Sequence, residues 1–501
     1  MRRFLTTIFC CMSLLSAAPA FAEPAKCLAK VSKLTNKQIF SLASQGYDIA
    51  RRGVDFVEVV IEKDEINSFV SKGHPVKVII EDLDQYVKKV KAAQNKIDAY
   101  FTYATMEKQL KAWAEQYPEL CMLESIGKSH EDRDIWALKI SDNPNKNEAE
   151  PAALIMGAHH AREWPSIEVP MAAAKLLLTE YASNEEIKKL VDNREVWIVP
   201  MVNPDGVVYS MEKSRYWRKN RRNNGGSYGV DPNRNYGYQW GVSGSSSSPS
   251  SDTYKGPAPF SEPETQTMKR LVEREKFQGS ISFHTYSELI LYPFSYAYNV
   301  DNPDRKVFVQ MANDMARFNK YAVKNSADLY PAAGECDDFM YGENKMLSFT
   351  FELCSTFIPA ANQIPVFNEL NVPAVIYLID KVGTYGLVTP AGRDELIEAL
   401  NLESARRAIV DNVDLFAGEG NVAMRNEVLK QLEKISQRAA ELVCKDLRQG
   451  DSSSWQTIKN TPQACLAVSF IRNRVLFENA HEKGLYREDL IEEIKNSSNS
   501  R

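Results

Sequence analysis

Residues 152–164 read Ala-Ala-Leu-Ile-Met-Gly-Ala-His-His-Ala-Arg-Glu-Trp. An apolar, strand-like run (Ala152 to Gly157) is followed by His159, His160 and Glu163, and then by a stretch patterned as a helix, Ile167 to Tyr181. Open α/β sheets place their sites where a strand gives way to a helix. Further apolar runs follow at Val196 to Val202 and at Ile281 to Phe283, with a second helical stretch at Val307 to Phe318. Such alternation predicts an α/β fold in residues 98–386, a mixed, mostly parallel sheet sandwiched by helices.

The flanks read differently. In residues 23–97, Val54 to Ile61 and Val76 to Ile80 are rich in β-branched residues and read as strands separated by a polar helical stretch, a small α+β unit. Asp82 to Asp98 is helical and lysine-rich, with Lys88, Lys89, Lys91 and Lys96. It reads either as an exposed linker open to trypsin-like cleavage or as a solvated helix face. Residues 387–501 read as a mostly helical C-terminal extension, in which Val428, Leu432, Ile435, Ala439 and Leu442 form one apolar stripe. The tail beyond Lys495 is expected to be disordered. Segment 223–259 is rich in Gly, Ser and Asn, and a loop of that length is expected to be functional or mobile. It ends at Ser261-Glu262-Pro263-Glu264, which fits a capping box opening a helix.

Residues 1–22 have the layout of a Sec-type signal peptide: Arg2 and Arg3, an apolar stretch from Leu5 to Ala18, and Ala20-Phe21-Ala22 as the cleavage site. The other reading of that stretch is a membrane anchor, for which it is short. The signal reading makes the mature chain a secreted or periplasmic protein with no membrane segment. Two of the eight cysteines, Cys10 and Cys11, fall inside the leader. The remaining Cys27, Cys121, Cys336, Cys354, Cys444 and Cys465 permit disulfides in an oxidising compartment. Proximity in the chain favours Cys336 with Cys354 and Cys444 with Cys465, and the lack of CxxC pairs argues against a cysteine zinc site. The net charge of −5, with no dominant basic face or tail, argues against a nucleic-acid partner.

The chain has six histidines, so two in one short stretch stand out. His160 and Glu163 form an H-x-x-E pair that can offer a nitrogen and a carboxylate to one ion. Alone, such a pair also describes a surface histidine beside a helix-start glutamate. His284 closes the run Ser280-Ile281-Ser282-Phe283 at another strand end. There it is either a packing residue or the third member of a two-histidine, one-carboxylate site.

The segment His160-Ala161-Arg162-Glu163-Trp164 resembles the metal motif of the zinc metallocarboxypeptidases, the family of carboxypeptidases A and B and of bacterial carboxypeptidase T. Matching segments follow in family order. They are Asn203-Pro204-Asp205-Gly206, Tyr216-Trp217-Arg218-Lys219, Val230 to Asn235, Phe283-His284-Thr285-Tyr286-Ser287 and Phe349 to Leu353. The resemblance covers roughly residues 100 to 386.

It implies that one zinc ion is bound by His160, Glu163 and His284, the ligand set by which carboxypeptidase A is known. Asp231 would orient the first ligand histidine. Glu352 would be the general base toward a zinc-activated water, and Arg218 would stabilise the oxyanion. Asn233 and Arg234 would grip the terminal carboxylate of a peptide, which restricts action to chain ends. Tyr330 would close over the bound terminus, and Tyr286 would line the site after a cis Thr285-Tyr286 peptide.

Asp337 falls where B-type relatives carry an aspartate at the base of the specificity pocket, which implies a preference for terminal Lys or Arg. Asp338 is acidic in both types. Asn325 departs from the small residue of B-type pockets, and Asp132 stands in a turn where relatives usually have glycine. His159 should point away from the metal, because neighbouring residues of an extended segment face opposite ways. Residues 23–97 would then be an inhibitory or chaperoning pro-region. The alternative within the same fold is a cell-wall peptidase acting on muropeptides.

Overall fold

A computed structural model describes residues 26–83, 85, 100–148 and 150–385. The leader, most of the lysine-rich segment and the C-terminal extension, with Cys444 and Cys465, lie outside the described residues. Described cysteines Cys27, Cys121, Cys336 and Cys354 are all free thiols.

The N-terminal unit is a four-stranded antiparallel sheet. Its strands are β1 (Lys26–Ser32), β2 (Asp48–Arg52), β3 (Phe56–Glu62) and β4 (Val76–Ile80), in the order β2-β3-β1-β4. Two helices, α1 (Asn36–Ser44) and α2 (Ile66–Ser71), complete it. Strand periodicity sorts the residues into two faces. Cys27, Ala29, Val31, Val57, Val59 and Ile61 pack with Ile39, Leu42 and Phe69 of the helices. The alternate residues Leu28 and Val60 turn the other way, onto Tyr216, Tyr286 and Phe357 of the larger unit.

The larger unit begins at helix α3 (Tyr103–Gln116), capped by Thr102. Its sheet has eight strands: β5 (Cys121–Lys128), β6 (Asp134–Ile140), β7 (Ala152–Met156), β8 (Glu195–Val199), β9 (Gly279–Thr285), β10 (Leu289–Tyr292), β11 (Ala322–Asn325) and β12 (Leu347–Leu353). The order is β11-β10-β12-β9-β7-β8-β6-β5. The central pairs β12–β9, β9–β7 and β7–β8 and the edge pair β10–β11 are parallel, and the remaining pairs are antiparallel. Every residue of β7, β8 and β9 is buried, as expected of strands covered on both faces.

The covering helices are α4 (Pro165–Glu180), α5 (Glu185–Val191), α6 (Pro204–Glu212), α7 (Pro263–Glu275), α8 (Arg305–Asn319), the short α9 (Ser326–Leu329), α10 (Cys336–Gly342) and α11 (Ile364–Tyr385). One core holds Ala153, Ile155, Ile281, Phe283, Phe349 and Phe351 with residues of α4, α8 and α11. The other holds Ala152, Leu154 and Met156 with residues of α7 and α10. The sheet is therefore mixed and sandwiched by helices.

Two expectations are corrected. Cys336 belongs to the core on the α7 and α10 side and Cys354 to the core on the opposite face, so nearness in the chain does not bring them together. Ser261 does not cap α7. Glu262 is the N-cap without a side-chain cap bond, Pro263 occupies the first turn, and Ser261 donates instead to the Glu262 carboxylate at 2.7 Å. Proline suits the first turn because the N–H it lacks would have no intrahelical partner there.

Backbone constraint is sharpest at Gly157, between β7 and the histidines. A Cβ there would stand 2.1 Å from Ser166 O and 2.9 Å from Pro200 O, both backbone atoms. Gly157→Ala is expected to cost on the order of 3 kcal/mol, because neither wall can retreat. Gly226, whose Cβ would meet open space, is the control. Urea unfolding of both variants checks this, and a Gly157→Ala midpoint equal to that of Gly226→Ala would show that the walls yield.

Candidate active site

Strand alternation sets the far side of the cleft. On β9, Ile281 and Phe283 face the core, which leaves Ser282 and His284 on the other face. On β12, Phe349, Phe351 and Leu353 face the same core, which leaves Thr350 and Glu352. The parallel register pairs Glu352 with His284. Two chain segments about 70 residues apart thus set a carboxylate beside an imidazole.

The near side comes from the turn after β7. His160 Nδ1 lies 2.8 Å from Glu163 Oε1, His284 Nδ1 lies 3.0 Å from Glu163 Oε2, and the two Nδ1 atoms are 3.1 Å apart. The outer nitrogens are engaged elsewhere. His160 Nε2 lies 3.1 Å from Asp231 Oδ1, and His284 Nε2 lies 3.1 Å from Ser282 Oγ.

These partners assign the proton of each ring to Nε2 and leave lone pairs on Nδ1. Burial holds His284 below its usual range although Glu163 pulls it up, so it is neutral. Burial works against the Glu163 charge too, but His160 and His284 outweigh it and hold that carboxyl low. Three buried lone-pair bearers facing one point repel each other unless a cation lies between them. The donor set, two imidazole nitrogens and one carboxylate, fits zinc with a position left open.

Asp231 ties this cluster to a guanidinium. It is the N-cap of the 3-10 turn Pro232–Arg234, and its Oδ1 also accepts from Asn233 N at 2.9 Å. Its Oδ2 accepts from Arg218 Nε at 3.0 Å and from Arg218 Nη2 at 2.9 Å. Burial opposes the Asp231 charge, but Arg218 and His160 overcome it and hold the carboxyl well below the usual range. Arg218 remains a cation for the reciprocal reason: burial opposes its charge, and Asp231 and Asp48 outweigh burial.

A match to the zinc carboxypeptidase family spans residues 106–374. The chain belongs to that family. It is 34% identical over 368 residues to a zinc carboxypeptidase of Saccharothrix mutabilis subsp. capreolus, covering 68% of this chain and 84% of the relative. Against carboxypeptidase B of Rattus norvegicus the identity is 31% over 360 residues, covering 69% and 85%. The fold of carboxypeptidase A from Helicoverpa armigera superimposes with a TM-score of 0.65 at 22% identity, over 72% of this chain and 98% of that one. This zinc carboxypeptidase is accordingly a metal-dependent hydrolase of one zinc ion, and His160, Glu163 and His284 form a potential site for it.

A cleft opens beside that cluster. It is lined by His160, His284 and Glu352 and by Asn233, Arg234 and Tyr330. Tyr330 lies with its ring 5.9 Å from the Arg234 guanidinium, and burial pushes its phenol up to about 12. Burial and the neighbouring Glu163 push Glu352 well above the ordinary carboxyl range while Arg218 pulls it back.

Tyr286 follows a cis peptide and donates to Glu58 at 2.6 Å. His159 stays out of the cluster but stacks on His284, with ring centroids 5.5 Å apart, and bonds Tyr236 at 2.8 Å and the Ser282 hydroxyl at 3.1 Å. Asp338 accepts from the backbone N–H groups of Ser295 and Tyr296, a structural task. Asp132 sits at φ 64, in the left-handed region that favours glycine.

Asp337 is not on the cleft wall. It lies behind Ser326, whose hydroxyl donates to it at 3.2 Å, and burial pushes it up to about 6. Asn325 likewise stands off the wall and donates to Tyr292 O. Three further charged residues escaped the sequence reading. Asp48 of β2 accepts from both Arg162 nitrogens, Nη1 at 2.5 Å and Nη2 at 2.8 Å, and lies 3.6 Å from Arg218. Glu335 pairs with Arg234 at 3.0 Å. Glu58 holds Tyr286. Arg162 lay inside the quoted motif and Glu335 lies two residues before Asp337, but Asp48 and Glu58 carry no local mark.

Asp231→Asn would keep the shape and remove the charge that holds the His160 proton on Nε2. Zinc affinity is expected to fall about 10- to 100-fold. Competition with a fluorescent chelator measures it. An affinity equal to that of the parent chain would mean that Asp231 does not orient His160.

Proposed function

We propose that the chain is an exported carboxypeptidase precursor that removes single residues from peptide C-termini and favours terminal Lys or Arg. The observation that carries this reading is one cleft lined both by His160 and His284 of the potential metal site and by Arg234, Asn233 and Tyr330. Such a cleft accepts a peptide only where a carboxylate ends the chain.

Arg234 and Asn233 hold that carboxylate, and the planar guanidinium gives the grip its direction. Tyr330 covers the bound end. Zinc, when bound, is a Lewis acid that polarises the scissile carbonyl and acidifies water. Glu352 takes the proton of the attacking water and delivers it to the departing amine. Arg218 is held by Asp231 before the reaction begins, so it meets the developing oxyanion without reorganising. Asp337 beneath Ser326 supplies negative potential to the pocket floor, which supports the preference for a basic side chain. Tyr286 lines the outer part of the site.

Glu352→Gln is expected to lower turnover by about a thousandfold or more while bound zinc stays at one per chain. Peptide hydrolysis and metal analysis, measured on the same preparation, test it. Retained turnover would reassign the base.

Residues 23–97 act as the pro-region. Support comes from the face it turns to the cleft, where Asp48 neutralises Arg162 and Glu58 occupies Tyr286. Arg52 adds a bond to Leu329 O at 3.3 Å, next to Tyr330. A carboxylate on Arg162 and beside Arg218 competes for the cations that a bound peptide would use. The leader pattern of residues 1–22 supports export. Among the described residues no helix is long and apolar enough to cross a membrane.

Asp48→Ala would leave Arg162 buried and unpaired, so docking should weaken. Uncleaved Asp48→Ala chain is expected to show at least about tenfold more peptidase activity than the uncleaved parent, with the two equal after trypsin treatment. Equal silence before cleavage would remove Asp48 from the inhibitory contact.

A further inference from the structure

The Glu335–Arg234 pair has no part in the roles set out above. Glu335 immediately precedes α10, and its Oε1 accepts from Arg234 Nη1 at 3.0 Å. Its side chain is 13% exposed, toward the cleft it lines with Asn233, Ser326, Tyr330 and Thr350. Arg234 also donates from Nε to Gly244 O at 2.9 Å and from Nη1 to Asn233 O at 2.7 Å, both backbone carbonyls. Besides Glu352, the acid that lines the cleft is Glu335, while Asp337 bonds the Ser326 hydroxyl from behind the lining.

Charge balance decides what this pair does. With the cleft empty of peptide, Arg234 and Glu335 neutralise each other. A peptide carboxylate that takes Arg234 leaves Glu335 without its cation in a largely desolvated cleft. An uncharged terminal side chain cannot replace that cation, so Glu335, whose carboxyl burial already pushes up to about 7, must take a proton or stay ionised without a partner. A terminal Lys or Arg side chain can replace it, so that two neutral pairs stand where one stood.

The geometry points to Glu335 as a specificity-determining residue. It occupies Arg234 in the resting cleft and passes to the side-chain cation of the peptide's last residue. Termini that carry a carboxylate and a cation together are thereby selected over termini that carry a carboxylate alone. The inference rests on the proposed grip of Arg234 on the terminal carboxylate.

The test uses the zinc-loaded full chain after limited trypsin treatment, on peptides that differ only in a C-terminal Lys or Leu, each as free acid and as amide. In Glu335→Gln, KM for the Leu peptide is expected to fall about tenfold and KM for the Lys peptide to rise about tenfold, so the Lys-to-Leu ratio of kcat/KM drops about a hundredfold. Glu335→Asp, which keeps the charge, should hold the ratio within a few-fold of the parent and guards against a mere packing effect. A Glu335→Gln ratio equal to the parent's overturns the inference, whichever peptide the parent prefers. Cleavage of the amides as fast as the free acids would instead overturn the Arg234 grip, and the two failures are read from different substrates.

Discussion

The Asp231 carboxylate is the constraint on which the rest of the site depends. One oxygen accepts from His160 Nε2 and from Asn233 N, and the other accepts from Arg218. The first contact fixes which imidazole nitrogen keeps its lone pair for the metal. The second holds the buried Arg218 guanidinium, the proposed oxyanion donor, in place before any reaction. The contact to Asn233 N fixes the short turn that carries Asn233 and Arg234. The potential metal site, the proposed oxyanion donor and the proposed carboxylate grip are thus tied together by one ionised side chain. Its charge survives burial only because cations surround it.

The sheet supplies the opposite wall by simple periodicity. Successive residues of β9 and β12 alternate between an aromatic and aliphatic core and the cleft. The parallel register then places His284 and Glu352 side by side. Neither residue owes its position to a loop: His284 sits on a fully buried strand and Glu352 on the strand paired with it. The turn after β7 has the complementary problem of passing between two backbone segments, and Gly157 meets it by having no side chain.

Three buried guanidiniums, Arg162, Arg218 and Arg234, crowd the cleft, and each has a carboxylate partner. The pairs differ in origin. Asp231 and Glu335 belong to the larger unit and remain with it. Asp48 comes from the N-terminal unit, on the face of its sheet that alternation turns outward. A neutralised Arg162 therefore depends on the N-terminal unit, which supports the proposed pro-region role of that unit. Tyr286 bonded to Glu58 repeats the pattern without a formal charge.

The sequence alone determined the residue types of the metal cluster, the strands at 152–156 and 76–80, and the membership of residues 106–374 in a family of known chemistry. Those features are local: apolar runs, spacing within a turn, and ordered short motifs. The tertiary structure decided what depends on charge meeting charge across the chain. Asp48 and Arg162 are 114 residues apart, and Arg234 and Glu335 are 101 apart. No periodicity links such pairs. Cys336 and Cys354 make the reverse point, being near in sequence but assigned to opposite faces of the sheet. Asp337, expected at the base of the specificity pocket, accepts from the Ser326 hydroxyl behind the lining, while Glu335 lines the cleft. One residue's turn at the start of a helix decides between wall and interior, and that turn is fixed by packing rather than by sequence spacing.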